Sequence, residues 1–272
     1  MPGKALRRRV RRMIDFGLAA FIDFRLWVTG KADRELPPLR LRFVGGGDFR
    51  ETGRELTDLL VSAGGLRRSD RVLDIGCGVG RVAIPLAAYL DPGASYDGFD
   101  VVRRGIRWCE RNITPRHPNF RFHHVDVSSS EYRTRGSAAS AFRFPFADAS
   151  FDFAFATSVF THLVAHETRR YIEETARVLA PGGRFLATFF LITDESRAAM
   201  DSRTIYHFPC IRGPMRLLDG DNPAAGVAID EAVALRLLTD AGLRIERVSH
   251  GQWSGRAEFL TFQDVVQCAK AG

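Results

Sequence analysis

Three glycines and a carboxylate share one short stretch, Val72-Leu73-Asp74-Ile75-Gly76-Cys77-Gly78-Val79-Gly80-Arg81. A buried strand that breaks into glycines and continues as a helix brings its backbone closer to a ligand than any β-carbon would allow. What the stretch lacks narrows the chemistry of that ligand. A dinucleotide fingerprint has its third glycine one residue later, where Arg81 stands, and no Gly-Lys-Ser/Thr follows to make a nucleoside-triphosphate loop. Asp74 lies two residues before the first glycine, where it repels a pyrophosphate and attracts a cation. Asp100 ends the run Tyr96-Asp97-Gly98-Phe99-Asp100, 20 residues after Gly80, the place from which an acidic side chain takes both hydroxyls of a ribose. The two carboxylates therefore suit a nucleoside that carries positive charge.

Such residues need strand ends to position them. Apolar runs predict strands at about 70 to 75, 95 to 100, 119 to 125, 151 to 157 and 183 to 191, with helices near 51 to 63, 79 to 90, 102 to 113 and 166 to 179. Strand and helix in alternation imply an α/β fold, a mostly parallel sheet with helices on both faces. A helix near 229 to 241 and strands from about Leu243 to His250 and from about Leu260 to Ala269 bring the expected sheet to seven strands. Residues 201 to 227 break the rhythm, mixing Pro209, Pro214 and Pro223 with Tyr206, His207 and Phe208, and read as an insertion that caps the substrate at one end of the sheet. At the other extreme, Pro37-Pro38 and the glycine-rich Phe43-Val44-Gly45-Gly46-Gly47-Asp48 divide an arm, residues 1 to 40, from the body, residues 41 to 272.

Composition excludes several classes. With 272 residues, 45% hydrophobic and 26% charged, the chain can bury a sizeable core and is neither disordered nor a disulfide scaffold. The net charge is +7, but residues 1 to 40 carry ten basic residues against Asp15, Asp23, Asp33 and Glu35, a net +6, which leaves +1 for the other 232. A nucleic-acid enzyme would spread its basic stripe over the folded body, so no nucleic-acid partner is expected. Cys77, Cys109, Cys210 and Cys268 make no CxxC pair and no zinc spacing, which fits a reducing, cytoplasmic setting. Asp15, Asp23 and Arg25 interrupt the apolar stretch from Met13 to Val28, so it is neither a membrane span nor a signal-peptide core. Residues 5 to 28 instead match an amphipathic helix, with Val10, Met13, Ile14, Gly17, Leu18, Phe21, Phe24 and Val28 at steps of three or four. Such a helix packs on its own domain, pairs two copies in a homodimer, or lies on an anionic membrane surface at the inner face.

On the glycine turn and its two carboxylates the chain resembles the class I S-adenosylmethionine-dependent methyltransferases, over roughly residues 40 to 270. Further matching pieces are Phe144-Pro145-Phe146, Phe151-Asp152-Phe153 and Arg177-Val178-Leu179-Ala180-Pro181-Gly182-Gly183-Arg184. The resemblance implies a Rossmann-like fold. It implies a cofactor whose amino group and sulfonium sit near Asp74, Gly76, Cys77 and Gly78, with its ribose on Asp100 and its adenine near Asp126 and Val127, and it adds Ser158 to the cofactor-binding set. Methyl transfer to an alcohol needs a base that removes the proton, and His162, just past the fourth strand, faces the methyl in this arrangement. Magnesium, which some related enzymes use to acidify a hydroxyl, stays open, and no carboxylate cluster specifies a metal site.

The acceptor is read from what is missing and from short motifs. The Asp/Asn-Pro-Pro-Tyr/Phe box of nucleic-acid amino methyltransferases is absent at Phe155-Ala156-Thr157-Ser158-Val159, which points to a small molecule or a glycan. Gly251-Gln252-Trp253-Ser254-Gly255-Arg256, with Phe262-Gln263-Asp264 and Ser158-Val159-Phe160-Thr161-His162-Leu163, resembles actinobacterial enzymes that O-methylate sugars, including those of methylmannose polysaccharide biosynthesis. In that reading Trp253 stacks on a pyranose, Arg256 binds ring hydroxyls, and His207 and His250 line the acceptor site. Two alternatives stand beside it: O- or N-methylation of a lipid or polyketide-type molecule at a membrane surface, and a non-catalytic protein that only binds S-adenosylmethionine.

Overall fold

The computed structural model describes residues 2–42, 47–127, 138–200 and 206–272. Phe43-Val44-Gly45-Gly46 and residues 201–205 of the expected cap lie outside the described residues. In chain order the elements are α1 (Pro2–Val28), α2 (Phe49–Ser62), β1 (Arg71–Ile75), α3 (Ala83–Tyr89), β2 (Ser95–Asp100), α4 (Arg103–Asn112), β3 (Phe120–His124), β4 (Phe151–Ala156), α5 (Ala165–Val178), β5 (Leu179–Phe189), β6 (Leu191–Ile192), α6 (Asp194–Met200), β7 (Cys210–Arg212), β8 (Met215–Leu217), β9 (Val227–Asp230), α7 (Glu231–Asp240), β10 (Leu243–Ser249) and β11 (Asp264–Lys270).

The main sheet has seven strands in the order β10-β11-β5-β4-β1-β2-β3. Its strands run parallel except β11, which is antiparallel to both β5 and β10. Alternate residues of each strand face opposite layers. Leu73 and Ile75 of β1 join α5 and α7 in one core, while Val72 joins Leu60, Leu86 and Ile106 of α2, α3 and α4 in the other. The order reverses between β1 and β4, and at such a switch point the carboxyl ends of the strands open a crevice for ligands.

Three boundaries differ from expectation for local reasons. Helix α3 begins at Ala83 because Gly80 holds φ at +78°, outside the helical region. Strand β5 begins at Leu179, which already pairs with Phe151. Strand β11 begins only at Asp264, because the residues before it belong to the loop that Asp264 anchors. In the region expected as a cap, β7, β8 and β9 join β6 in a separate four-stranded sheet ordered β6-β9-β8-β7. Strands of two to four residues among prolines carry too little periodicity to announce themselves.

The arm meets the body where Arg50 of α2 donates to Asp33 at 2.7 Å, and it is also held within itself. The carboxylate of Asp23 on α1 accepts the backbone N–H groups of Leu39 and Arg40 at 2.7 and 3.1 Å and the Arg40 guanidinium at 2.9 Å, which docks α1 on the 3-10 turn Leu39–Leu41. Among the described residues, no helix is long and apolar enough to cross a membrane.

Candidate active site

The carboxyl ends of β1 and β2 bring the expected glycines and carboxylates together. Asp74 is buried and accepts the Tyr96 hydroxyl at 2.5 Å from the neighbouring strand. Burial pushes its carboxyl up to about 7; the nearby Asp100 adds to the rise, while the Tyr96 hydrogen bond and Arg81 oppose it. Arg81 itself is pushed down by burial, against the pull of Asp74. A buried acid held this high is divided between its neutral and ionised forms at neutral pH, and a cationic ligand would favour the carboxylate. Asp100 is placed by backbone donors: Gly78 N–H reaches one oxygen at 2.9 Å and Val102 N–H the other at 2.7 Å. Each carboxylate oxygen has two lone pairs, so both retain capacity for ligand hydroxyls.

The glycines are required by space as well as by backbone angle. Gly76, Gly78 and Gly80 all hold positive φ, at +78°, +60° and +78°. A β-carbon on Gly76 would meet the Val159 side chain at 2.6 Å. That contact seats the turn following β4 directly on the glycine loop. The N–H groups of Gly76 and Cys77 both donate to the Phe99 carbonyl, at 2.9 and 3.0 Å, which bends the loop back toward β2.

The turn after β4 is held in an uncommon conformation. Ser158 has φ +59°, a left-handed backbone that costs a non-glycine residue about 1 to 2 kcal/mol. Three side chains stabilise it. Ser158 N–H donates to Thr188 Oγ1 at 2.8 Å, and both hydroxyls, Ser158 Oγ and Thr188 Oγ1, donate to Gln263 Oε1 at 3.1 and 2.6 Å. Four residues on, His162 closes a short 3-10 turn with its Nδ1 2.6 Å from the Ala224 carbonyl. A carbonyl only accepts, so Nδ1 carries a proton and donates it to Ala224.

The remaining expected residues are more scattered. Asp126 is exposed and Val127 buried just after β3, where Val125 N–H donates to the Asp100 carbonyl at 3.1 Å. His207 is exposed, with Nδ1 3.1 Å from the Met200 carbonyl. His250 pairs with Glu231. Trp253 departs from the stacking role expected of it: the indole is fully buried, and its Nε1 donates to Asp264 at 2.7 Å. Arg256 is likewise engaged, holding Glu195 through Nε and Nη2 at 3.0 and 2.7 Å.

Sequence reasoning assigned no role to Tyr96, Thr188, Gln263 or Asp264. Asp264 is fully buried and accepts Leu191 N–H, Gly251 N–H and the Trp253 indole N–H, which clamps the loop before β11 to the end of β5. Burial raises its pKa against those three donors. Around it, Phe190, Tyr206, Phe208, Trp253 and Phe262 interlock with ring centres 5.2 to 6.3 Å apart. This aromatic shell begins two residues after Thr188 and ends one residue before Gln263, beside the Ser158 turn.

Comparison with known proteins follows the same geometry. A family described as a methyltransferase domain matches residues 73–187, from β1 through most of β5. The chain is 30% identical over 217 residues, 77% of its length and 69% of the relative's, to the 27-O-demethylrifamycin SV methyltransferase of Amycolatopsis mediterranei. It is 33% identical over 183 residues to the fatty-acid O-methyltransferase of Mycolicibacterium smegmatis, covering 62% of this chain and 57% of that one. Among solved structures, a SAM-dependent methyltransferase from Methanosarcina mazei superposes with a TM-score of 0.52 at 25% identity, over 76% of this chain and 94% of the other.

Proposed function

We propose, from the premise that this chain belongs to the S-adenosylmethionine-dependent methyltransferases, that it methylates a hydroxyl of a largely apolar acceptor with His162 as general base. S-adenosylmethionine is its cofactor, and the donor set fits that molecule: the buried Asp74 and the half-buried Asp100 stand at a loop whose Gly76 leaves no room for a β-carbon. Asp74 would hold the amino group, the Gly76-Cys77-Gly78 backbone would pass beside the methionyl part, and Asp100 would take the ribose hydroxyls. Asp126 and Val127 would border the adenine. When bound, the cofactor supplies a methyl group on a sulfonium, open to attack by an oxygen nucleophile.

The observation that carries the reading is the bonded Nδ1–H of His162 on a turn packed against the glycine loop. With Nδ1–H committed to Ala224, Nε2 is the atom that would take the hydroxyl proton as the oxygen attacks. The Ser158 network holds that turn, so the base would be positioned before the acceptor arrives.

The acceptor class rests on the aromatic shell. Of the acceptors that the sequence leaves open, a sugar would call on the face of Trp253 and a free Arg256, and both are committed to other groups. The exposed Tyr206 and the half-buried Phe262 of that shell instead offer apolar surface, which suits a lipid or polyketide-type alcohol. The names of two O-methylating relatives, one for 27-O-demethylrifamycin SV and one for fatty acids, support an acceptor other than a sugar polymer. The test is a panel of hydroxylated acyl chains, hydroxylated macrocycles and mannosides incubated with methyl-labelled cofactor. Label on an acyl or macrocyclic hydroxyl supports the proposal, and label on mannosides alone overturns it. His162→Ala should cut turnover by about 10²- to 10⁴-fold while calorimetric affinity for S-adenosylhomocysteine stays within about twofold; an unchanged rate removes His162 from the base role.

A further inference from the structure

Helix α1 carries an apolar face that no described residue of the chain covers. Ile14, Leu18, Phe21 and Val28 recur at steps of four, three and seven and share one side of the helix. Their exposures run from 58% for Phe21 to 64% for Ile14, and Phe24 at the edge of this side is 60% exposed. At about 100° per residue this side lies roughly 140° to 220° round the helix from Asp23, the residue that ties α1 to the Leu39–Leu41 turn. The tie therefore holds the helix with its apolar side turned away from that turn.

We propose that this face docks on an anionic lipid bilayer, with α1 lying in the plane of the interface. The charge of the arm selects that occupant. Lys4, Arg7, Arg8, Arg9, Arg11 and Arg12 open the same helix, and Asp15 is the sole acidic residue among the first 22. Cations at a helix start oppose its macrodipole, a penalty that lipid phosphates would offset. A second copy of the chain would bring an arm of net +6 against another of net +6, which is unfavourable for self-pairing. Asp23 and Arg25 in the same helix restrict it to the interface rather than the interior of the bilayer. The inference stands on α1 alone and does not depend on which acceptor is methylated.

The experiment is co-sedimentation of the full chain with vesicles of equal parts phosphatidylglycerol and phosphatidylcholine, and with phosphatidylcholine alone, at about 0.1 M and about 0.5 M salt. Binding should appear on the anionic vesicles at low salt and weaken at least tenfold on neutral vesicles or at high salt. Leu18→Asp with Phe21→Asp, both at exposed positions, should weaken it at least tenfold while thermal unfolding and calorimetric binding of S-adenosylhomocysteine stay unchanged. The proposal is overturned if the unaltered chain ignores anionic vesicles, or if the double variant binds as well as it does. It is also overturned if the chain sediments as a dimer that the double variant dissociates, since the face would then belong to a second copy. Loss of methyl transfer to every acceptor, with vesicle binding intact, would refute the acceptor proposal and leave this one standing.

Discussion

Asp74 offers the most exposing test of how the site takes a cation. Burial holds its carboxyl at about 7, so the ligand-free protein carries a mixed population of neutral and ionised acid at neutral pH. If the ionised form is the one that receives the cofactor's ammonium group, lowering the pH removes the binding-competent species. From pH 7 to about pH 5.5 the ionised share falls from about half to about 3%, a weakening of roughly tenfold or somewhat more. The amino group of the ligand remains protonated throughout that range and adds no slope of its own. Calorimetric titration of S-adenosylhomocysteine, which keeps the amino group and cannot turn over, reads the effect directly. Asp74→Asn should bind about 10- to 100-fold more weakly at pH 7 and lose the slope. A flat profile for the unaltered protein refutes the reasoning; an equal slope in Asp74→Asn assigns the titration to another group, with Asp100 the first candidate.

The same acid has a stability consequence of opposite sense. Its folded pKa lies above the ordinary carboxylate value of 3.8, so its contribution to stability is fully present below about pH 4 and is lost as pH rises through about 7. At full size the loss is up to about 4 kcal/mol, three pKa units at 1.36 kcal/mol each. Ligand-free Asp74→Asn should therefore be more stable than the unaltered protein at pH 8, by urea denaturation, and the advantage should vanish near pH 4. Saturating ligand should narrow the gap at pH 8 by favouring the ionised acid.

Two further outcomes follow from the hydrogen-bonding of Asp100 and Asp264. Asp100→Ala should reduce calorimetric affinity for S-adenosylhomocysteine by at least about 10²-fold, since it removes a charged acceptor for two hydroxyls; near-native affinity would sink the ribose assignment. Asp264→Asn should lower unfolding stability by about 1 to 3 kcal/mol, because an amide sets a donor against one of the three N–H groups that point at Asp264. Unchanged denaturant midpoints would show that those donors find other partners.

The cradle was legible in the sequence because its signals are local. A strand, its glycines, Asp74 and Asp100 all fall within 30 residues, and each glycine answers to a backbone angle or a close approach that sequence pattern encodes. The acceptor side was not, because its meaning depends on which side chains tertiary packing leaves free. Trp253 and Arg256 have the residue types of a sugar site, yet Asp264 and Glu195, 11 and 61 positions away, engage them. Gln263 and Asp264 stood in a short motif that drew notice, but their partners on β5 and the Ser158 turn lie 73 to 105 positions earlier. No periodicity reports contacts of that range.

The strained Ser158 turn explains why these distant partners matter to one another. A left-handed serine persists only where its surroundings over-determine it. Here the over-determination comes from Thr188 on β5 and Gln263 at the approach to β11, while Val159 beside it closes on Gly76. The next residue after Gln263 is Asp264, whose three hydrogen bonds immobilise the aromatic loop. The glycine loop, the turn that leads to His162 and the aromatic wall are thus joined through a few side-chain hydrogen bonds rather than through the strand ladder alone. A methyl transfer requires donor, base and acceptor oxygen to be held in line within fractions of an ångström, and hydrogen bonds between these three parts restrict their relative motion in the direction that matters.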